Sequence, residues 1–200
     1  MTNHFAFLIG VQDYNFLQPL RTPLNDILDI GHVLDRNFGY TVFACENPCL
    51  DDLSSFMEQM TAELSAAAAP HDQFALLYFA GHGIAQDSET GIRGYLIPKN
   101  GRRDDKATWY SMEDLLNAVE KLPCRHTLIL LDCCFSGSLR WASKHRAISV
   151  FGQSNKLYRQ HYKYFLERQS CQVITSAAPD QLALDFVRQG TETDRSPFAE

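Results

Sequence analysis

No segment of this 200-residue chain is apolar for long enough to cross a bilayer. The continuous apolar run at 5–11 falls far short of the about 20 residues that a spanning helix requires. Met1-Thr2-Asn3-His4 has no basic stretch leading into an apolar one, so no secretory signal is legible and a cytoplasmic setting is expected. Cysteine is too sparse for a disulfide scaffold: there are six, at positions 45, 49, 124, 133, 134 and 171, and they are expected to be free thiols. Positive charge is not in excess. Lys and Arg number 18 against 24 Asp and Glu, for a net charge of −6, which argues against nucleic acid as a partner. G-x-G-x-x-G and the P-loop lysine motif are absent, which disfavours nucleotide binding. Cys124, His126, Cys133 and Cys134 lie close in sequence, but a predicted strand separates them and no C-x-x-C pair exists, so no metal site is expected. There is no internal repeat and no low-complexity tract. What remains is an ordinary globular composition, 45% hydrophobic and 21% charged, in a chain long enough for one sizeable core.

The apolar pattern alternates between two periods. Residues 5–11, 40–45, 73–79, 126–131 and 172–175 read as strands, the first as one buried on both faces. A short strand is expected at 92–97. Thr22-Pro23 reads as an N-cap followed by proline at the first helical position. Apolar residues then recur at helical spacing to Phe38, and Gly39 is a good stop. A second amphipathic helix is expected over 50–66, with Leu53, Phe56, Met57, Met60 and Leu64 on one face. Ser111 resembles a capping residue for a helix running to about Lys121, and 155–168 also reads as helical. Strands alternating with helices predict an α/β domain with a mostly parallel sheet and helices on both faces. Residues 86–108 and 138–154 read as irregular, exposed loops.

In such sheets, chemistry gathers beyond the carboxyl ends of the strands. After the third strand comes Ala80-Gly81-His82-Gly83, and after the strand ending at Leu131 comes Asp132-Cys133-Cys134-Phe135-Ser136-Gly137. One loop offers an imidazole between glycines and the other offers thiols in a turn. A thiol near its ordinary pKa of about 8.5 is mostly protonated at neutral pH and needs a base to become a nucleophile. An imidazole can take that proton and later return it to a leaving amine. Glycines beside the histidine leave room for a substrate carbonyl, whose developing charge backbone N–H groups can stabilise. Either segment alone also has a plain structural explanation, as a turn histidine or as packed cysteines.

The sequence resembles the caspase-like cysteine peptidases, in particular the metacaspase and prokaryotic caspase-homologue branch. The resemblance is carried by residues 7–14 (FLIGVQDY), 20–26 (LRTPLND), 78–83 (YFAGHG), 94–98 (GYLIP), 131–137 (LDCCFSG) and 175–177 (TSA), in order along nearly the whole chain. His82 precedes Cys134 by 52 residues, close to the about 50 seen in caspases. The resemblance implies a caspase–hemoglobinase fold and a cysteine endopeptidase acting through an acyl-enzyme. It places the nucleophile at Cys134, with Cys133 as the small residue before it. His82 becomes the acid/base, and the backbone N–H groups of Gly83 and Cys134 the oxyanion donors. It implies no required cofactor; calcium activation, known among metacaspases, is not legible, since no acidic loop has EF-hand spacing.

The same resemblance implies cleavage after Arg or Lys, through a pocket containing Asp26 and Asp132. Two carboxylates in one pocket resist joint ionisation unless a cation enters. Asp26 is equally explained as a first-turn carboxylate favoured by the helix dipole. Arg21 lies close in sequence and would neutralise a pocket acid, which keeps cleavage after acidic residues as an alternative. Asp180 is a candidate for the pocket rim. With basic specificity, Arg102, Arg103, Arg140, Lys144 and Arg146 become candidate self-cleavage positions; hydrophilic loops explain them equally. The expected partner is a protein or peptide substrate, with a regulatory domain or partner outside this chain, and neither nucleic acid nor membrane. Residues 1–200 read as a peptidase domain forming the N-terminal catalytic part of a longer protein, a regulated effector in bacterial signalling or antiviral defence. A catalytically inactive scaffold of the same fold is the alternative, because fold alone does not fix activity.

Overall fold

Apolar residues at every position of a strand demand cover on both faces, and the sheet is built to give it. The computed structural model describes residues 4–66, 72–88, 91–133, 170–176 and 195–199. In chain order its elements are β1 (His4–Gly10), α1 (Pro23–Phe38), β2 (Thr41–Glu46), α2 (Leu50–Ala66), β3 (Phe74–Ala80), β4 (Gly83–Ser88), β5 (Gly91–Leu96), β6 (Tyr110–Ser111), α3 (Met112–Glu120), β7 (His126–Asp132) and β8 (Ser170–Thr175). Five strands form a parallel sheet in the order β2-β1-β3-β7-β8.

Strand side chains alternate between faces, so parity in the sequence decides what each residue meets. Phe5, Phe7 and Ile9 of β1 share one core with Ala75, Leu77 and Phe79 of β3 and Ile129 and Leu131 of β7. That face is covered by Leu53, Phe56, Met57, Met60 and Leu64 of α2 and by Met112, Leu115 and Val119 of α3. Each such side chain contributes about 1.5–3 kcal/mol on burial, as an upper estimate. Ala6, Leu8, Leu76, Tyr78 and Ala80 form the other core, against Ile27 of α1. The helices therefore lie on both faces, as the periodicity predicts. α1 ends at Gly39, whose φ of 67° suits glycine and whose N–H donates to the Asp35 carbonyl at 3.1 Å. No helix among the described residues is long and apolar enough to cross a membrane.

One expectation needs correction. The segment 86–108 is not a loop throughout: its first part completes an antiparallel hairpin, β4 against β5, extended by β6 into a second sheet. Its polar and glycine residues, Gln86, Asp87, Arg93 and Gly94, hide a pairing that main-chain hydrogen bonds make. Thr22 and Pro23 take the N-cap and first helical positions of α1 as expected, although Thr22 makes no side-chain capping bond and has helical rather than extended backbone. Ser111 does cap α3, accepting from the Glu113 N–H at 3.1 Å. The helix expected at 155–168 lies outside the described residues.

Candidate active site

Ala80, the last residue of β3, pairs in register with Asp132, the last residue of β7. The Gly81 N–H donates to the Asp132 carbonyl at 3.2 Å, so the two strand exits remain bonded one step beyond the sheet. His82 stands two residues after Ala80. Cys134 stands two residues after Asp132 in sequence and lies outside the described residues, which end on this side at Cys133. The histidine loop and the cysteine loop thus leave neighbouring parallel strands, about 4.8 Å apart in such sheets, at the same height.

His82 is held from three sides. Its Nε2 lies 2.9 Å from the backbone carbonyl oxygen of Gln18. A carbonyl only accepts, so this bond needs the proton on Nε2 and leaves Nδ1 as the nitrogen for proton exchange. Its backbone N–H donates to the Tyr14 hydroxyl at 2.7 Å, and the Tyr14 ring lies 4.6 Å from the imidazole, tilted by 43°. Its carbonyl accepts from the Ile97 N–H at 3.0 Å, which ties it to the residue that follows β5. Gly83 opens β4 opposite Leu96.

Parity also explains the acids. Asp132 continues the face of Leu128, Leu130 and Tyr78, the side covered by α1, and α1 carries Asp26 in its first turn. Both carboxylates are buried, at 0% exposure for Asp26 and 8% for Asp132. Ser196 joins them. Its backbone N–H donates to Asp26 Oδ1 at 3.0 Å, and its hydroxyl makes a short bond to Asp132 Oδ2. The Tyr78 hydroxyl donates to the same Asp132 oxygen at 3.4 Å. Burial raises the Asp26 carboxyl above its usual range and the Asp132 charge adds to this, while bonds from Ser196 and Thr22 oppose it. Burial, with both acids nearby, also pushes the Tyr78 hydroxyl up, so it stays protonated and able to donate. Among the described residues, Asp26 Oδ2 is buried with no hydrogen-bond partner.

Arg21 is exposed. Arg102 and Arg103 lie in a tight turn before β6: the Arg102 N–H donates to Thr108 Oγ1 at 2.9 Å, and its carbonyl accepts from Trp109 Nε1 at 2.7 Å. Asp180, Arg140, Lys144 and Arg146 lie outside the described residues. Burial pushes the Cys45 and Cys124 thiols up, so both remain protonated and poorly nucleophilic. Cys133 is buried among the apolar side chains of the α2 face, as its parity requires. No group of three or more metal-ligating side chains occurs among the described residues.

Sequence reasoning overlooked Tyr14, Gln18, Tyr78 and Ser196. Tyr14 and Tyr78 fall inside motif segments but carry no titratable role that would mark them. Gln18 acts through its carbonyl, which every residue has, and Ser196 acts from the far end of the chain.

A caspase-domain family profile matches residues 3–200. No curated protein matches the sequence. Among solved structures, Caspase-1 from Spodoptera frugiperda is similar with a TM-score of 0.56 at 16% identity, over 92% of this chain and 64% of that one. The Drosophila initiator caspase Dronc is similar with a TM-score of 0.50 at 12% identity, over 68% of this chain and 56% of that one. The chain thus spans less than two thirds of either structure, and at these identities the likeness is one of fold.

Proposed function

This chain belongs to the caspase-domain family of cysteine endopeptidases, and from that premise we propose that it cleaves peptide bonds with a Cys134–His82 dyad, after Arg or Lys. The observation that carries the reading is the fixed imidazole of His82, with Nε2 on the Gln18 carbonyl, at the exit of the strand beside the one that leads to Cys134. His82 Nδ1 takes the thiol proton as sulfur attacks the scissile carbonyl. The N–H groups of Gly83 and Cys134 are the donors for the oxyanion, each worth about 3–4 kcal/mol in comparable sites. His82 then protonates the leaving amine, and water releases the acyl-enzyme.

Asp26 and Asp132 form the floor for a basic side chain. Their joint burial, and an Asp26 Oδ2 with no hydrogen-bond partner among the described residues, favour a cationic donor there. The bonds from Ser196 and Tyr78 favour a second role for the same pair, as a latch that fastens residues 195–199 to the sheet. A cleavage profile on a peptide library separates the two. The pocket reading expects Asp26→Asn and Asp132→Asn to raise KM for Arg and Lys substrates selectively. Unchanged preference with lowered thermal stability assigns the pair to the latch. Cys134→Ala is expected to abolish all cleavage; activity persisting in it removes the dyad.

A further inference from the structure

The loop between β1 and α1 touches His82 twice, through the Gln18 carbonyl and through Tyr14. We infer that Tyr14 is a positioning residue for the reaction, setting the place of the His82 backbone and ring. The inference rests on the dyad reading and adds a residue to it.

Three contacts converge on one side chain. The Tyr14 hydroxyl accepts the His82 N–H at 2.7 Å, which fixes the backbone from which the imidazole projects. The Tyr14 ring lies 4.6 Å from the imidazole and limits its rotation. The hydroxyl also occupies the space that a side chain at position 81 would need: a Cβ on Gly81 would lie 2.8 Å from it, closer than real Cβ contacts come. The Phe79 ring closes the same space, with Cζ at 3.0 Å, so the glycine before the histidine is explained by the tyrosine hydroxyl together with this ring, the first a pairing across the sequence that local turn geometry does not predict.

The support is stiff enough to transmit position. Asn47 Oδ1 accepts from the N–H groups of Gln12 and Asp13, at 2.8 and 2.9 Å. The Leu20 N–H donates to the Gln12 carbonyl at 2.9 Å, closing the loop at its base. The Asn15 N–H donates to the Lys99 carbonyl at 2.9 Å, bracing the tip against the chain that follows β5. Tyr14 is thus mounted on a loop fixed at three points. Small displacements of an acid/base group cost rate while leaving substrate binding intact, which is the signature to seek.

The experiment compares kcat and KM on an arginyl peptide reporter for wild type, Tyr14→Phe, Tyr14→Ala and Gly81→Ala, normalised to active sites titrated with an arginyl chloromethyl ketone. Tyr14→Phe keeps the ring and loses the acceptor; it is expected to lower kcat about tenfold with KM unchanged. Tyr14→Ala loses both and is expected to fall further, so that phenylalanine gives partial rescue. Gly81→Ala is expected to lose less in the Tyr14→Phe background than in wild type, because the obstructing oxygen is gone. Wild-type kcat in both Tyr14 variants, or strict additivity with Gly81→Ala, overturns the inference. Cys134→Ala and His82→Ala run alongside: full activity in those two defeats the dyad itself, a result distinct from the failure of Tyr14 alone.

Discussion

Ser196 and Asp26, 170 positions apart in sequence, are joined by a hydrogen bond of 3.0 Å from the serine N–H to the carboxylate Oδ1. The same serine reaches Asp132 through its hydroxyl. One residue near the end of the chain therefore holds together two acids from the first helix and the fourth strand of the sheet. Hydrogen bonds to charged groups contribute about 1.5–3 kcal/mol, and a buried carboxylate left short of a donor costs more than a surface one. Ser196→Ala keeps the N–H bond to Asp26 but removes the hydroxyl bond to Asp132, and is expected to destabilise the fold by about 2 kcal/mol in a denaturant titration. A loss within error of zero contradicts the contribution of the Ser196–Asp132 bond.

The pH dependence of stability follows from the raised Asp26 carboxyl. A carboxyl whose pKa is higher in the folded than in the unfolded chain binds its proton more readily when folded. Stability is then unaffected below the unfolded value of about 3.9 and falls as pH rises through the window up to the folded value. Asp26→Asn carries no charge to bury and escapes that fall. Its Tm relative to wild type is expected to improve as pH rises above about 4. A difference that worsens over that range contradicts the assignment of burial as the dominant cause.

The Arg102–Arg103 bond is expected to survive incubation of the folded chain. A protease binds an extended segment, whereas Arg102 is held by Thr108 and Trp109 in a closed turn, with its guanidinium 4.7 Å above the Phe16 ring. Intact-mass analysis is expected to show no break there in wild type and a faster break in Thr108→Ala, which frees the Arg102 N–H. Rapid cleavage at this bond in the wild-type chain contradicts the protection argument.

The parallel sheet was legible because apolar runs report burial directly: residues 5–11, 73–79 and 126–131 match β1, β3 and β7 to within a residue at each end. The α2 face was legible for the same reason, at helical period. β5 was anticipated by the short strand expected at 92–97, but β4 and the pairing between them were not, since main-chain pairing leaves little trace in a polar sequence. The approach of Asp26 to Asp132 was anticipated only through the family resemblance, yet strand parity with Tyr78 and Leu130 independently puts Asp132 on the α1 side. Ser196, Tyr14 and the Gln18 carbonyl were illegible, because their roles come from tertiary closeness and not from residue chemistry.

The central claim is that Cys134, and not its neighbour Cys133, is the thiol that His82 activates. Labelling with an arginyl chloromethyl ketone, followed by peptide mapping, tests it most directly. The account predicts a single adduct on Cys134, formed far more slowly in His82→Ala and absent from Cys134→Ala. An adduct on Cys133, or labelling of Cys134 at an unchanged rate without the histidine, would contradict it.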